Sequence, residues 1–313
     1  MTLKIFNSIQ EFSTNAKTIV TLGTFDGVHK GHKSILEKLI NSSKNTGYES
    51  VVLTFFPHPR MVLQQNTDIK LLNTIKEKAL LLDQYGIDNL IIHPFDHAFS
   101  RLTAEEFVKD ILIDKLNIAK IIIGYDHRFG RNRTANINDL IVFGKEYGFE
   151  VEQISALEIN EVSVSSTKIR NALNDGFLET ANRFLGYPYF ITGIVVKGKQ
   201  LGRTIGYPTA NISISEDYKL IPVNGVYVVS SIIDGKKTFG MMNIGTNPTV
   251  GGVTQTIEVN FFDFNEDIYD REIQVDIHYR IRDEVKFPSL DALKEQLAHD
   301  RETSLEYINT KQL

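Results

Sequence analysis

Two histidines separated by two residues stand in the ten-residue segment Gly23–His32, which reads GTFDGVHKGH. The segment follows the apolar run Thr18–Leu22 and leads into a stretch with the apolar spacing of a helix. A glycine-rich turn between a strand and a helix presents N–H groups to a phosphate, and the imidazoles of His29 and His32 can add positive charge. The alternatives are a glycine turn with two surface histidines, or a zinc site. Zinc would need further ligands, and the chain has neither a cysteine nor an H-E-x-x-H sequence.

A second glycine-rich segment, Gly198–Asn211 (GKQLGRTIGYPTAN), lies in the other half of the chain. Its glycines recur every fourth residue and would let the backbone approach a ligand closely. Thr209 and Asn211 lie two residues apart on an extended segment, so both side chains point to one side. A hydroxyl and an amide oxygen are hard donors that suit Mg²⁺ already held by phosphates. The alternative is a glycine-rich turn of a β-barrel, followed by a strand.

Two shorter segments of the first half could also contribute to a site. Ser165–Arg170 (SSTKIR) opens a predicted helix, where its serines could serve only as caps. Phe56–Arg60 (FPHPR) is a rigid proline turn that fixes one imidazole; the alternative is a stiff connector with an exposed histidine. Phe56–Arg60 follows the second predicted strand, so it would lie at the edge of the sheet with the Gly23–His32 turn.

One carboxylate of the second half lies on an otherwise apolar strand. The predicted strand Thr256–Phe262 alternates, which places Glu258, Asn260 and Phe262 on one face. The alternative role for Glu258 is a salt bridge at the rim of the fold.

The elements that must position these residues differ between the two halves. Before about residue 186, short apolar strands alternate with helical patterns, which predicts an α/β unit with a parallel sheet and ligands at the carboxyl ends of its strands. The predicted strands are Thr18–Gly23, Ser50–Phe56, Asn89–His93, Lys120–Gly124 and Phe149–Ile154. The predicted helices between them include Ile75–Tyr85, Ala104–Leu116 and Asn136–Tyr147.

After Gly186 the strands follow one another without helices between them, which predicts a small antiparallel barrel of five or six strands. The predicted strands are Tyr189–Val196, Val226–Ile233, Thr238–Ile244, Thr256–Phe262 and Glu272–Ile281. Asp234 and Gly235 give a hairpin signal between two of them. A last helix is predicted from about Leu290 to Ile308, with leucines along its apolar stripe. We therefore expect two domains, 1–186 and 187–313.

The composition argues against several classes of protein. The 313 residues carry a net charge of −5, which gives no electrostatic reason to expect a nucleic-acid or membrane-surface partner. The absence of cysteine excludes disulfides and thiolate catalysis. The opening residues MTLKIFNSIQEF lack a continuous apolar segment, and no run is long enough to span a bilayer. The expected location is the cytoplasm, and the oligomeric state, a homo-oligomer included, stays open.

The Gly23–His32 segment resembles the signature of the HxGH nucleotidyltransferases, and its full form resembles that of bacterial FAD synthetases. The resemblance implies a Rossmann-like domain that transfers the adenylyl group of ATP to FMN. It assigns the ATP-binding role to Gly23, Phe25, Asp26, Gly27, His29, Gly31, His32, Ser165, Ser166, Thr167 and Arg170. His29, His32 and Arg170 would be catalytic. It assigns flavin binding to Pro57, His58, Pro59, Asp126 and Phe129, in loops that resemble the family's PHP and GxDFxFG segments.

The Gly198–Asn211 segment resembles the GxxxGxPTAN signature of riboflavin kinases, and later segments match the same family in order. The resemblance implies that ATP is bound by Gly198, Gly202, Gly206, Pro208, Thr209 and Asn211. Thr209 and Asn211 would also bind Mg²⁺, and Glu258 aligns with the family's catalytic glutamate. The chain departs from the usual pattern at Asn260, where many relatives have histidine, and at His127, where the FAD synthetase module usually has phenylalanine.

Together the two signatures resemble the family of bacterial bifunctional riboflavin kinase/FAD synthetases over nearly the whole chain. The implied substrates are ATP, riboflavin and FMN, and the implied product is FAD. Two rival functions stay open: a different adenylyl- or cytidylyltransferase with an unrelated β-module, and a flavin-binding or regulatory protein without catalysis. The later barrel motifs oppose the first, and the intact histidines and Glu258 oppose the second.

Overall fold

The computed structural model describes residues 2–64, 68–124, 127–155, 164–198, 202, 205–249 and 252–313, and the side chains of 247–249 and 252–254 are left out. The chain divides into two compact units, Met1–Ser166 and Thr167–Leu313, called here the N-terminal and C-terminal units. The domain boundary predicted after residue 186 stays a prediction. None of the described helices combines the length and the apolar character needed to cross a bilayer.

Six parallel strands form the sheet of the N-terminal unit. They are β1 Lys4–Phe6, β2 Thr18–Leu22, β3 Glu49–Phe55, β4 Asn89–His93, β5 Ile118–Gly124 and β6 Glu150–Ile154. Their order is β1-β4-β3-β2-β5-β6. From β2 the chain adds β3 and β4 on one side, and it then crosses to add β5 and β6 on the other side of β2. Such a reversal opens a crevice at the carboxyl ends of the central strands. The Gly23–His32 segment follows β2 directly, and the topology therefore places it at this crevice.

The predicted parallel sheet is confirmed, and burial explains why its strands were recognisable. Every residue of β2 and β4 is buried, as expected for strands covered on both faces by helices. β1 was not predicted, because it has only three residues and an exposed side chain at Ile5.

The helices of the N-terminal unit are α1 Lys30–Thr46, α2 Pro59–Leu63, α3 Ile75–Gln84, α4 Ala104–Glu106 and α5 Ile137–Tyr147. The regular helix predicted over Ala104–Leu116 differs from the structure, in which α4 continues as a π-helix over Phe107–Ile113. Its hydrogen bonds span five residues, as in the 2.9 Å bond from the N–H of Leu116 to the carbonyl of Ile111.

The C-terminal unit contains a closed antiparallel barrel, as predicted. Its strands are β7 Tyr189–Val196, β8 Ala210–Ser213, β9 Gly225–Ile233, β10 Lys236–Thr249, β11 Gly252–Phe261 and β12 Glu272–Arg282, in the order β10-β11-β8-β7-β12-β9. The predicted hairpin turn is confirmed, because Asp234 and Gly235 have φ values of 51° and 77°. Two helices precede the barrel, α6 Ser166–Asn174 and α7 Leu178–Leu185, and α7 was not predicted.

The last helix, α8, spans Leu290–Lys311 and differs from the prediction in its buried face. Leu290 and Leu305, predicted in the apolar stripe, are exposed, whereas Asp300 and Ser304 are buried. Asp300 accepts three hydrogen bonds from Arg282 of β12, at 2.9 Å, 3.2 Å and 2.7 Å. A buried carboxylate paired with a guanidinium therefore ties this helix to the barrel where leucines were expected.

Candidate active sites

The backbone of the turn after β2 adopts conformations that side chains rarely take. Gly23 extends the ladder of β2 through a 3.1 Å bond from its N–H to the carbonyl of Leu53. Phe25 and Val28 then have φ values of 45° and 35°, and both side chains are buried. Each such residue costs about 1–3 kcal/mol and persists only where its surroundings hold it. The turn is thus a strained segment that needs anchors.

One anchor of the turn is the Thr24 carbonyl, which accepts two hydrogen bonds. The hydroxyl of Thr54, near the end of β3, donates to it at 3.1 Å. The ammonium of Lys78, on α3, donates to it at 2.7 Å and to the Thr54 hydroxyl at 3.3 Å. Lys78 is only 3% exposed, and burial lowers the pKa of its ammonium to about 8, against the opposing effect of the Asp26 carboxylate.

Asp26 is the second anchor of the turn. Its Oδ1 accepts hydrogen bonds from the N–H groups of Leu72 and Asn73, at 2.9 Å and 3.4 Å. Its backbone carbonyl accepts a 2.9 Å bond from the hydroxyl of Ser166, which belongs to the SSTKIR segment. Asp26, predicted to bind ATP, thus ties the turn to the residues before α3, and Ser166 reaches the same turn.

The two histidines of the signature lie face to face. Their rings stack with centroids 3.7 Å apart and an interplanar angle of 13°, and the ring centroid of Phe25 lies 5.0 Å from that of His32. His29 is the residue before α1, and the first-turn N–H groups of a helix have no intrahelical acceptor. The stacked rings and these N–H groups together offer hydrogen-bond donors to an anion.

The free protein does not hold His32 as a cation at neutral pH. Burial lowers the pKa of His32 well below its usual value, and the nearby His29 and Lys78 lower it further. The positive charge expected from this imidazole is thus suppressed by its surroundings, and His32 offers a neutral ring. Within the described part of the chain, its Nδ1 is buried without a hydrogen-bond partner.

The remaining residues of the SSTKIR segment lie at the start of α6. Ser165 is half-buried, and Thr167 is exposed. Ile169 is buried and Arg170 is half-buried. Thr167 and Arg170 belong to the C-terminal unit, so their predicted roles stay predictions.

The Pro-His-Pro turn fixes its imidazole in a defined role. His58 is buried, and its Nδ1 accepts a 3.1 Å bond from the N–H of Arg60, which caps α2. The alternative of a connector with an exposed histidine is therefore wrong. Pro57 is exposed and Pro59 is half-buried.

The other predicted flavin-side residue that the structure describes, Phe129, is buried. It pairs with Ala135 through backbone bonds of 3.1 Å and 3.2 Å, and its ring packs 5.9 Å from Phe107. Asp126 lies outside the described residues.

A cluster of aromatic rings at the carboxyl ends of β3 and β4 was not predicted. Phe99 is its centre, with ring centroids 5.4 Å from Phe55, 4.7 Å from His93, 5.8 Å from Phe95 and 6.2 Å from Phe107. The available signal was the run of aromatic residues directly after two parallel strands. Such rings form an apolar wall against which a planar ring system could pack.

The predicted polar residues of the C-terminal unit lie in one row across three strands. The register places Glu258 of β11 opposite Asn211 of β8 and opposite Asn243 of β10. The hydroxyl of Thr209 donates a 3.2 Å bond to Oε2 of Glu258. The structure therefore brings together Thr209, Asn211 and Glu258, and adds Asn243, which sequence reasoning did not single out.

Asn260 has a structural partner in the same segment. It is 8% exposed, and its Nδ2 donates a 2.7 Å bond to the carbonyl of Pro208. Asn260 thereby holds the backbone directly before Thr209. Phe262, predicted on the same strand face, lies beyond the end of β11.

The three glycines of the second signature are required for different reasons. A Cβ on Gly198 would overlap the side-chain amide of Asn211, and a Cβ on Gly202 would overlap the carbonyl oxygen of Tyr207. Gly206 has a φ of 86°, which favours glycine. Their described contacts are therefore within the chain, and approach to a ligand stays a prediction.

A cavity of about 440 Å³ lies beside the Thr209 segment. This volume is in the range of small-molecule sites. Its lining includes Val195, Thr209, Val259, Phe261, Phe264 and Tyr269. Among the described residues there is no group of three or more histidines or carboxylates that could hold a metal.

Two family models match the chain in sequence. The FAD synthetase model matches residues 11–168, and the riboflavin kinase model matches residues 185–308.

Curated relatives cover nearly the whole chain. A bifunctional riboflavin kinase/FMN adenylyltransferase of Buchnera aphidicola is 40% identical over 300 residues, which are 94% of this chain and 95% of the relative. The enzyme of the same name from Escherichia coli is 39% identical over 291 residues, 93% and 92% of the two chains. A solved structure from Streptococcus pneumoniae, described as a macrolide-efflux protein, has a TM-score of 0.87 at 34% identity and covers 97% of this chain and 99% of its own.

Proposed function

Since the chain belongs to the family of bifunctional riboflavin kinase/FMN adenylyltransferases, it phosphorylates riboflavin to FMN and adenylylates FMN to FAD, and we propose which of its residues carry each reaction. The N-terminal unit would perform the adenylyl transfer, and the C-terminal unit would perform the phosphorylation. The observation that carries the residue assignment is the stacked pair His29 and His32, at the crevice where the strand order reverses.

In the adenylyl transfer, a phosphate oxygen of FMN attacks the α-phosphorus of ATP and pyrophosphate leaves. FMN already carries the nucleophile, so no covalent enzyme intermediate and no general base are needed. The N–H groups at the start of α1, with His29 and His32, would donate hydrogen bonds to the phosphates. Contact with the phosphates would raise the pKa of a neutral imidazole such as His32 and favour its cationic form.

The SSTKIR segment would contribute donors for the leaving pyrophosphate. Ser166 already contacts the turn through the Asp26 carbonyl, which supports a position near the phosphates. Ser165, in the same unit, would add a second hydroxyl group. For the flavin, the aromatic cluster around Phe99 would provide an apolar wall, and Phe129 would pack at its end through Phe107.

In the phosphorylation, Glu258 would accept the proton of the riboflavin 5′-hydroxyl as that oxygen attacks the γ-phosphorus and ADP leaves. The Thr209 hydroxyl donates to Oε2 of Glu258 and would hold the carboxylate in one orientation. The cavity lined by Val259 and Phe261 would hold part of a substrate.

The residues present fit Mg²⁺ bound together with ATP. Thr209 and Asn211 supply oxygen donors of the kind that Mg²⁺ prefers, and Glu258 adds a carboxylate in the same row. Gly198 leaves room for the Asn211 amide, since a Cβ would overlap it. When bound, the ion would offset the charge of the transferring phosphoryl group. Asn260 would keep Thr209 in place through the Pro208 carbonyl.

The test is to incubate the protein with riboflavin, ATP and MgCl₂ and to separate the flavins by chromatography. FMN should appear first and FAD later, and FMN supplied with ATP and MgCl₂ in place of riboflavin should give FAD and pyrophosphate. FAD made only from added FMN would indicate an adenylyltransferase with an unrelated β-module. Flavin binding without either product would indicate a protein that has lost catalysis.

A further inference from the structure

The N-terminal unit contains a buried lysine that no motif of either reaction includes. Lys78 lies in the first turns of α3, which Thr74 and Glu77 begin with a capping box. Lys76, two residues earlier on the same helix, is exposed, whereas Lys78 is buried. A lysine is rarely buried, because its ammonium must be compensated inside the protein.

The Lys78 ammonium is directed at the back of the strained turn. Its two described hydrogen-bond acceptors are the Thr24 carbonyl at 2.7 Å and the Thr54 hydroxyl at 3.3 Å, both neutral oxygens. Because Thr54 also donates to the Thr24 carbonyl, one backbone oxygen is held from two sides. The turn that carries Phe25 and Val28 at positive φ is therefore fixed at Thr24, directly before Phe25.

The charged and titratable groups that face Lys78 are few among the described residues. The Asp26 carboxylate on the turn raises the pKa of Lys78 and so favours the charged form of Lys78. The charge of Lys78 lowers the pKa of His32 on α1. Glu77, on its own helix, forms the capping bond to the N–H of Thr74. A cation with neutral hydrogen-bond acceptors, next to a phosphate-binding turn, would gain a second anionic neighbour when a triphosphate binds.

We propose that Lys78 is a positioning residue for FMN adenylylation, which fixes the Thr24 carbonyl from behind the turn and adds positive charge beneath the triphosphate of ATP. The proposal rests on the assignment of adenylyl transfer to this turn. It predicts that ATP binding favours the protonated form of Lys78, so that ATP and a proton bind cooperatively to the N-terminal unit.

The first test compares three variants in the full chain. Lys78→Met keeps the length of the side chain but removes its charge and donors, and it should lower kcat/KM for ATP in FMN adenylylation about 100-fold. Lys78→Arg should recover part of this loss. Lys76→Met, the matched exposed control on the same helix, should stay within about twofold. Riboflavin phosphorylation by the same samples should not change.

The second test uses the wild-type protein and does not depend on the folding of a variant. Between about pH 7.5 and about pH 9.5, KM for ATP in adenylylation should rise roughly tenfold, because the pKa of Lys78 is about 8 in the free protein. KM for ATP in phosphorylation should stay flat.

The outcomes separate the two levels of the proposal. A wild-type protein that makes FMN but no FAD would overturn the assigned adenylyl transfer itself. If the wild type makes FAD, a folded Lys78→Met variant with activity within about twofold would overturn the role of Lys78 alone. A flat KM for ATP across the alkaline range would overturn its contribution of charge.

Discussion

The two proposed ATP sites of this chain fix their polar groups by different means. In the N-terminal unit, a strained turn is held by side chains from other elements: Thr54, Lys78 and Ser166 all contact its backbone. In the C-terminal unit, the register of β8, β10 and β11 sets Asn211, Asn243 and Glu258 side by side. The first arrangement depends on distant partners, and the second depends on strand pairing.

The difference predicts how each site tolerates change. A turn with residues at positive φ stores strain and adopts its geometry only while its anchors remain. A polar row on a closed barrel keeps its spacing as long as the ladder is intact, because every strand is paired on both sides. Substitutions far from the chemistry should therefore affect adenylylation more than phosphorylation.

The largest expected effect would separate the two sites completely. Glu258→Gln should lower riboflavin phosphorylation by about 10²–10⁴-fold, because the amide cannot accept the hydroxyl proton. FAD formation from supplied FMN should stay unchanged. Separate assays with riboflavin and with FMN measure both rates, and Glu272→Gln, an exposed carboxylate of β12, is the control. A parallel loss of both activities in a folded variant would contradict independent sites.

A substitution in the adenylylation site is expected to have the next largest effect. His32→Ala should lower FAD formation about 10²–10³-fold, the typical cost of one donor to a developing charge, and should leave FMN formation intact. His97→Ala, which removes an exposed histidine of the same unit, should change neither rate. Full FAD formation by a folded His32→Ala protein would refute the role of the stacked pair.

A smaller effect tests whether strand register alone holds the polar groups of the phosphorylation site in position. Asn260→Leu removes the 2.7 Å bond to the Pro208 carbonyl and should lower kcat/KM of phosphorylation about tenfold, the equivalent of about 1.4 kcal/mol. The variant should also require a higher Mg²⁺ concentration for half-maximal phosphorylation activity. Asn260→His keeps an N–H donor and should restore much of the loss. If Asn260→Leu retains the Mg²⁺ dependence of the wild type, strand register holds Thr209 in position without this bond.

The smallest effect concerns a histidine outside either site. Burial lowers the pKa of His278 to about 4, with a further lowering by Lys237, and its Nε2 lies 2.8 Å from the Ser230 hydroxyl. Since the pKa is lower in the folded than in the unfolded state, stability is present above about pH 6.5 and falls as the pH decreases toward 4. Between pH 7 and pH 6 the free energy of unfolding of the C-terminal unit should fall by about 0.7 kcal/mol from this group.

Urea unfolding followed by tyrosine fluorescence at both pH values measures this change, and His278→Gln should remove it. An unchanged pH dependence in the variant would assign the acid sensitivity to another group, such as His32 in the N-terminal unit, whose pKa is also lowered by burial.

Much of the fold could be predicted because its signals are local. Asn89–His93 and Tyr189–Val196 have the predicted bounds in the structure, since apolar runs bounded by polar residues mark buried strands. The leucine stripe of α8 could not be predicted correctly, because Leu290 and Leu305 resemble core residues in periodicity alone. Only the position of Arg282 on the barrel decides that Asp300 is the buried contact.

The same contrast between local signals and contacts of distant segments applies to the candidate sites. The sequence placed His29 and His32 at the start of a helix and Thr209 beside Asn211, because these relations span a few residues. It could not show that Asp26 binds the N–H groups of Leu72 and Asn73, about 46 residues along the chain.

By itself the sequence determined the two-unit plan, the order of the elements and the residue types available for phosphate chemistry, since backbone sterics and apolar periodicity act over short distances. Only the tertiary structure decided which polar groups meet. Lys76 and Lys78 are alike in sequence, yet Lys76 is exposed, whereas Lys78 is buried and donates to the Thr24 carbonyl of the turn. The physical reason is that the cost of a buried charge depends on its neighbours in space, and sheet topology brings those neighbours from distant segments.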